Sequence, residues 1–281
     1  MQPFADMSAP RGSVAAATLP GASVLLVGGG AGATFFDTVE AFDVASGAWR
    51  SCAPLSERRG NLAAVTLKDD VYIFGGGYAN DTAAMCCVAT TERYDAASDA
   101  WVRLAPLNFK RFGVAGAVLG GAMYAAGGFD GDSKLYMASA ERFDPREGVW
   151  RALPPMPGGQ RSSLMLAPAP GAAGEHTLIA AGGYYVEGQS VPRYQARVEA
   201  YDARANAWRP LNQLKRSRAY GAAVNVDDRL VLMGGLHGKD YAETVDEYDV
   251  VTDTWKQLTL VGGACRRFRS FLGATCVRAA I

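Results

Sequence analysis

Val71-Tyr72-Ile73-Phe74-Gly75-Gly76, followed by Glu92-Arg93-Tyr94-Asp95 and then Trp101, is the stretch that decides the fold. An apolar run of strand-forming residues breaks at paired glycines and resumes with an acid, an aromatic residue and an aspartate. The same order recurs along the chain. Double glycines stand at Gly28-Gly29, Gly75-Gly76, Gly127-Gly128, Gly182-Gly183 and Gly234-Gly235, their first members 47, 52, 55 and 52 residues apart. Downstream come Phe42-Asp43, Tyr94-Asp95, Phe143-Asp144, Tyr201-Asp202 and Tyr248-Asp249. An acid sits two residues before each aromatic: Glu40, Glu92, Glu141, Glu199 and Asp246. Six residues after each aspartate stands a tryptophan, and Trp49, Trp101, Trp150, Trp208 and Trp255 are all five in the chain.

A further element precedes each double glycine. Arg11, Arg59, Arg111, Arg161 and Arg218 each lead a run of small or apolar residues, such as Ala63-Ala64 and Ala222-Ala223. The fourth copy departs from this rule with Met165-Leu166. Each unit therefore reads as four short strands: a, with arginine and small residues; b, ending in the double glycine; c, with the acid and the aromatic-Asp pair; and d, with the tryptophan. Turn-rich segments such as Asp144-Pro145-Arg146-Glu147-Gly148 join c to d. A four-stranded antiparallel unit of about 50 residues repeated radially is the pattern of a propeller blade. Small side chains suit strand a, where blades crowd the axis. Each aromatic fills the widening space between twisted blades, burying about 150–250 Å².

This arrangement resembles the kelch repeat, from about Arg11 to Val277. The expectation is an all-β fold: a kelch-type β-propeller of four-stranded antiparallel blades in one domain over residues 1–281. Its repeats lie at about 11–55, 59–107, 111–156, 161–211 and 216–258. Arg269 followed by Gly273-Ala274 starts a further copy, so residues 266–281 are expected to form a partial closing blade; a truncated six-bladed propeller is the competing reading.

Composition narrows the function. Lys+Arg and Asp+Glu are 28 each, so a net charge of zero gives no general pull toward nucleic acid or an anionic membrane. No apolar run reaches the ~18 residues of a membrane span, and the N-terminal residues do not read as a secretory signal. Five cysteines, an odd number without a CxxC pair, read as a reduced, cytoplasmic protein. His176 and His237 fall in different units, which argues against a histidine metal centre. Adjacent Cys86-Cys87 is not a zinc spacing, and the thiols read as buried or loop residues. Neither GxSxG nor GxxxxGK[ST] occurs; Gly28-Gly29-Gly30-Ala31-Gly32 reads as a strand exit. No catalytic residue, metal or other cofactor is assigned.

Alternating strand direction puts the d–a and b–c loops on one face. That face combines basic residues with aromatics, the types enriched at interaction hot spots. The resemblance implies a protein or peptide partner there, with an acidic motif, and makes Arg59, Arg111, Arg161, Arg218 and Arg269 candidate contacts. The competing reading pairs these arginines with the strand-c acids as scaffold. Positions that vary between units are independent candidates: Tyr78, Phe129, Tyr184, Tyr185 and His237. The resemblance further implies a substrate-recognition domain of a cullin-type ubiquitin ligase adaptor. A metal-free sugar epimerase or mutarotase of the kelch-propeller type, working in the central channel, is the alternative.

Overall fold

A computed structural model describes residues 5–21, 23–82, 84–171, 176–188, 190–242 and 244–258. These form five four-stranded antiparallel sheets arranged as the blades of a β-propeller, each with its strands in the order a-b-c-d. Blade 1 comprises Ala15–Leu19, Ser23–Val27, Val39–Asp43 and Ala48–Cys52; blade 2, Ala63–Leu67, Asp70–Phe74, Thr91–Asp95 and Ala100–Leu104. Blade 3 comprises Ala115–Leu119, Ala122–Ala126, Ala140–Asp144 and Val149–Leu153. Blade 4 is Met165–Pro168, Thr177–Ala181, Val198–Asp202 and Ala207–Leu211; blade 5 is Ala222–Val226, Arg229–Met233, Val245–Asp249 and Thr254–Leu258. The expected partial closing blade, with Arg269, lies outside the described residues.

The apolar core lies between blades. Leu25 and Val27 of blade 1 pack with Val71, Ile73 and Tyr94 of blade 2, and Tyr124 of blade 3 packs with Leu178 and Tyr201 of blade 4. Trp150 shows how the tryptophans serve this joint. Its ring lies 5.0 Å from Phe74 of the preceding blade and 5.3 Å from Phe143 of its own. Its Nε1 donates to Thr91 Oγ1 at 3.0 Å, again across the joint. Trp101, Trp208 and Trp255 donate to the carbonyls of Ala53, Pro154 and Asn212 in the connectors that lead in from the previous blade. The oversized Met165 on strand a of blade 4 fits because its sulfur occupies the space that a β-carbon on Gly221 of blade 5 would take.

The double glycine is required by an inter-blade clamp. The second glycine N–H donates to the strand-a arginine carbonyl of the next blade: Gly29 to Arg59 (2.9 Å), Gly76 to Arg111 (2.7 Å), Gly128 to Arg161 (2.9 Å) and Gly183 to Arg218 (2.8 Å). A β-carbon on the first glycine would meet the same carbonyl oxygen, at 2.3 Å for Gly28 and 2.5 Å for Gly127. Both members also hold positive φ, for instance 66° and 89° at Gly75-Gly76, which only glycine adopts at little cost.

The aromatic-Asp pair has a local cause. Asp95 Oδ1 accepts the N–H groups of Ala97 and Ser98, and Asp202 and Asp249 do the same in their turns. The turn then ends on a residue of positive φ whose identity follows the strand-c aromatic. With tyrosine, the residue is an acceptor for the hydroxyl: Tyr94 donates to Asp99 (2.6 Å), Tyr201 to Asn206 (2.7 Å) and Tyr248 to Asp253 (2.9 Å). With Phe42 or Phe143, which have no hydroxyl to place, the residue is Gly47 or Gly148.

Candidate interaction face

The strand-a arginines are scaffold. Arg59, Arg111, Arg161 and Arg218 are 0–1% exposed. Each guanidinium pairs with the acid two residues before the strand-c aromatic of its own blade: Arg59 with Glu92, Arg111 with Glu141 at 2.9 Å, Arg161 with Glu199, and Arg218 with Asp246. Arg11 repeats the arrangement with Glu40 at 3.5 Å. Four of the five also cap the strand-b exit: Arg11, Arg59, Arg111 and Arg218 donate to the carbonyls of Gly28, Gly75, Gly127 and Gly234. Burial pulls the four buried guanidiniums below the usual arginine pKa, opposed by the paired carboxylates. These groups present nothing to solvent, so the expectation that Arg59, Arg111, Arg161 and Arg218 contact a partner is corrected. Their repetition in every unit reflects an internal bond, and Arg269 lies outside the described residues.

The d–a and b–c segments do share one face. A single bridge in each blade ties the residue after the arginine to the start of a small b–c hairpin: Gly12 to Gly30, Gly60 to Gly77, Phe112 to Phe129, Ser162 to Tyr184 and Ala219 to Leu236. The next residue in each blade lies at the channel mouth in the left-handed conformation: Ser13 (φ 57°), Asn61 (52°), Gly113 (66°), Ser163 (52°) and Tyr220 (60°). Backbone bonds join them around the axis, Asn61 N–H to Ser13 O (2.9 Å), Gly113 to Asn61 (2.8 Å), Ser163 to Gly113 (2.8 Å) and Tyr220 to Ser163 (3.0 Å). Below them the strand-a residues line two cavities along the axis, of about 150 and 310 Å³. Their lining is alanine, glycine, valine, leucine, serine, threonine and asparagine with Met165, Pro168 and Tyr220; no carboxylate, imidazole or ammonium group contributes among the described residues.

The variable candidates separate into two groups. Phe129, Tyr184 and His237 join one aromatic network across blades 3, 4 and 5. Ring centroids are 4.9 Å apart for Phe129–Tyr136, 5.5 Å for Tyr136–Tyr184, 5.9 Å for Tyr184–Tyr194, 5.1 Å for Tyr184–Tyr220 and 6.5 Å for Tyr194–His237. His237 Nδ1 is 2.7 Å from Ser217 Oγ. Tyr78 stands apart on blade 2, under the guanidinium of Arg58 at 5.2 Å. Tyr185 is half-buried and has no ring partner among the described residues. The sequence reading missed Tyr136, Tyr194 and Tyr220. The first two are the returning strands of hairpins whose pairing (Phe129 with Tyr136, Tyr184 with Tyr194) has no motif, and the third has no counterpart in the other blades.

Burial, then the neighbouring Tyr220 phenol, raises the Tyr184 hydroxyl pKa; burial likewise raises Tyr136 and Tyr220. All three are therefore neutral phenols near pH 7 and serve as hydrogen-bonding groups. Large exposed apolar side chains occur in the same loop segments: Phe109 in the connector to blade 3, and Leu135, Val191 and Tyr241 in the b–c segments of blades 3, 4 and 5, exposed by 51%, 60%, 79% and 54%. The corresponding segments of blades 1 and 2 carry Ala31-Gly32-Ala33 and Asn80-Asp81-Thr82 instead. On blades 3 to 5, Asp132, Glu187 and Asp240 pair with Lys110, Arg193 and Arg216, whereas Lys134, Lys215 and Lys239 are exposed and form no ion pair among the described residues.

Cys87 is buried, accepts the Gly131 N–H at 3.1 Å, and has its thiol pKa pushed up by burial to about 11. Cys52, Cys86 and Cys87 are free thiols. Among the described residues no three His, Cys, Asp or Glu side chains cluster as a metal site would require. His176 lies in the a–b connection of blade 4, away from His237 in a b–c hairpin.

A profile of the Kelch motif matches residues 10–56, 58–108, 110–157 and 217–259. The chain belongs to the kelch-motif family. The kelch blade with the Met165-Leu166 strand, blade 4, is the one the profile passes over. Kelch relatives include mouse Kelch-like protein 35, 26% identical over 71% of this chain and 30% of the relative. Xenopus tropicalis Kelch-like protein 25 is 25% identical over 92% of this chain and 42% of the relative. Zebrafish Kelch repeat and BTB domain-containing protein 8 is 24% identical over 78% of this chain and 34% of the relative. The kelch chain thus spans about a third to two-fifths of the length of the relatives it matches. Among the described residues, no helix is long and apolar enough to cross a membrane.

Proposed function

We propose that this kelch propeller is a non-enzymatic protein-interaction module that recognises a protein partner through its b–c and d–a loop face. The observation that carries the reading is that exposed apolar tips (Leu135, Val191 and Tyr241) and joined tyrosines occur in the b–c segments of the same three blades. Exposed apolar and aromatic side chains gathered on one face are the residue types enriched at interaction sites. The channel lining weighs against the sugar epimerase alternative. Proton abstraction needs a general base within hydrogen-bond reach of the substrate; the described lining has no carboxylate or imidazole, and its one phenol, Tyr220, has its pKa raised by burial, which keeps it protonated.

The finer assignment is a substrate-recognition domain of a cullin-type ubiquitin ligase adaptor acting in the cytoplasm. The name of the zebrafish relative, which couples kelch repeats to a BTB domain, supports it, as do free thiols suited to a reducing compartment. An acidic partner motif remains part of the proposal, with Lys134, Lys215 and Lys239 in place of the buried arginines. The test is affinity capture from cell extract with wild type against a variant carrying Leu135→Ser, Val191→Ser and Tyr241→Ser. All three side chains are exposed, so melting should be unchanged while recovery of specific partners falls at least about tenfold. Equal recovery by both proteins defeats the proposal.

A further inference from the structure

The residue that follows strand d is clasped by the next blade at its N–H and its carbonyl. At the joint of blades 1 and 2, Ala53 N–H donates to Asp99 Oδ1 at 2.9 Å, and Trp101 Nε1 donates to Ala53 O at 2.9 Å. Blades 4 and 5 repeat the clasp: Asn212 N–H donates to Asp253 Oδ1 and Asn212 O accepts from Trp255, each at 3.1 Å. Between blades 3 and 4 the residue is Pro154, which has no N–H to satisfy. The joint of blades 2 and 3 has the N–H without the acid. Its connector residue is Ala105, and Gly148 holds the turn position of Asp99 and Asp253. Trp150 donates to Thr91 instead, so neither backbone group of Ala105 has a hydrogen-bond partner among the described residues.

The missing side chains leave space. A cavity of about 200 Å³ is lined by Ala105 and Gly148 with Tyr72, Arg93, Leu104 and Phe143. A β-carbon on Gly148 would meet nothing within 4 Å, and Phe143 brings no hydroxyl where the sibling blades have tyrosine. Tyr72 and Pro145 also line a second cavity of about 330 Å³, together with Lys68 and Arg146. Such volumes suit a small molecule. The acids nearby are engaged: Asp70 holds Arg93 at 3.2 Å and shares the Tyr72 hydroxyl, and Asp144 holds Arg142 at 2.9 Å and Arg146 at 3.2 Å. Lys68 forms no ion pair among the described residues.

We propose that the joint of blades 2 and 3 is a binding site for a small organic carboxylate with a ring-sized apolar body. Its carboxylate takes the place that Asp99 and Asp253 fill in the sibling joints, accepting the Ala105 N–H and facing Arg93. Its body lies against Leu104, Phe143 and Tyr72. An unmatched amide beside a guanidinium selects an anion over a neutral acceptor, because charge-assisted hydrogen bonds are about twice as strong. No residue of the aromatic network on blades 3 to 5 other than the scaffold of the joint is involved: Phe129, Tyr136, Tyr184, Tyr194, Tyr220 and His237 line neither cavity. The site is therefore independent of protein docking on the loop face.

The experiment titrates protein labelled with ¹⁵N-alanine with 2-naphthoate, phenylacetate and acetate, and with 2-naphthamide as the uncharged match. Naphthoate should bind saturably, move the Ala105 amide proton downfield, and bind at least about tenfold more tightly than naphthamide or acetate. Gly148→Asp gives the joint the chain's own carboxylate at a backbone angle (φ 70°) close to that of Asp99 (47°) and Asp253 (51°), and should abolish naphthoate binding. Gly148→Ala, which adds a methyl group without an acceptor, should retain it. Arg93→Gln should weaken naphthoate at least about tenfold, and this arm decides the matter if Gly148→Asp loses its cooperative melt. Equal affinity for naphthoate and naphthamide, naphthoate binding that survives in folded Gly148→Asp, or no saturable carboxylate binding at millimolar concentration overturns the proposal.

Discussion

Replacing Trp150 by alanine empties a joint between two blades. The indole is 6% exposed and packs between Phe74 of blade 2 and Phe143 of blade 3, at 5.0 and 5.3 Å. Its Nε1 holds Thr91 Oγ1 of blade 2 at 3.0 Å, and Thr91 is fully buried, so water does not replace the lost donor. Lost transfer energy and the cavity together cost about 3–5 kcal/mol for a buried aromatic cut to alanine. At about 2–4 °C per kcal/mol for a domain near this size, the melting temperature should fall by about 6–20 °C. Differential scanning calorimetry and urea unfolding followed by circular dichroism measure both quantities. Trp49 is the internal control: it is half-buried at the first blade, and its Nε1 donates to Ala5 O in the N-terminal connector. Its loss should cost about 1–2 kcal/mol. A Trp150→Ala loss below about 1 kcal/mol, or one equal to that of Trp49→Ala, would refute the argument that blades are held by aromatic packing at their joints.

Three further outcomes follow from the geometry. Arg111→Met strands Glu141 without its ion partner at zero exposure and should destabilise by about 3–5 kcal/mol, whereas Arg111→Met with Glu141→Leu should recover at least about half of that in urea titrations. In a double-mutant cycle, Tyr94→Phe and Asp99→Gly, which recreate the pairing of blades 1 and 3, should show a coupling of about 0.5–1.5 kcal/mol; additivity would mean that the hydroxyl bond is idle. Asp144, held by Arg146 and then by the Arg146 N–H and Arg142, has its pKa lowered to about 2 from 3.8, so its contribution is fully present above about pH 4 and lost as pH falls through about 2. Asp144→Asn should therefore remove part of the acid sensitivity of melting between those values, and an unchanged acid limb would contradict the assignment.

The blades were legible because five copies of one spacing carry their own punctuation. Gly75-Gly76, Tyr94-Asp95 and Trp101 each answer a backbone or packing demand that recurs at every joint. The arginines were legible as a repeat but ambiguous in direction. A sequence shows that Arg111 and Glu141 recur together, not that their charges meet inside the blade. The pairing of tyrosine with Asp99, Asn206 and Asp253, and of phenylalanine with Gly47 and Gly148, was present in the sequence as a correlation between units and becomes meaningful once the turn conformation is known. The mouth ring was not legible. Ser13, Asn61, Gly113, Ser163 and Tyr220 share a backbone angle and a neighbour but no side-chain chemistry, so only coordinates bring them together. Of the named surface candidates, Phe129, Tyr184 and His237 proved contiguous, because hairpins on adjacent blades lean on each other; Tyr78 and Tyr185 did not join them.

The bonds between neighbouring blades run in opposite senses. At the joint of blades 1 and 2, Gly29 gives its amide hydrogen forward to Arg59, and Asn61 gives its own back to Ser13; the next three joints repeat the exchange. Whichever member of such a pair detaches, the one left behind forfeits an amide donor bond, so peeling the circle from its head is no cheaper in this respect than peeling it from its tail. A tug on the hairpins of one sector is accordingly passed to both sides as a load on backbone, and the assembly should yield as a unit rather than shed its sectors in sequence.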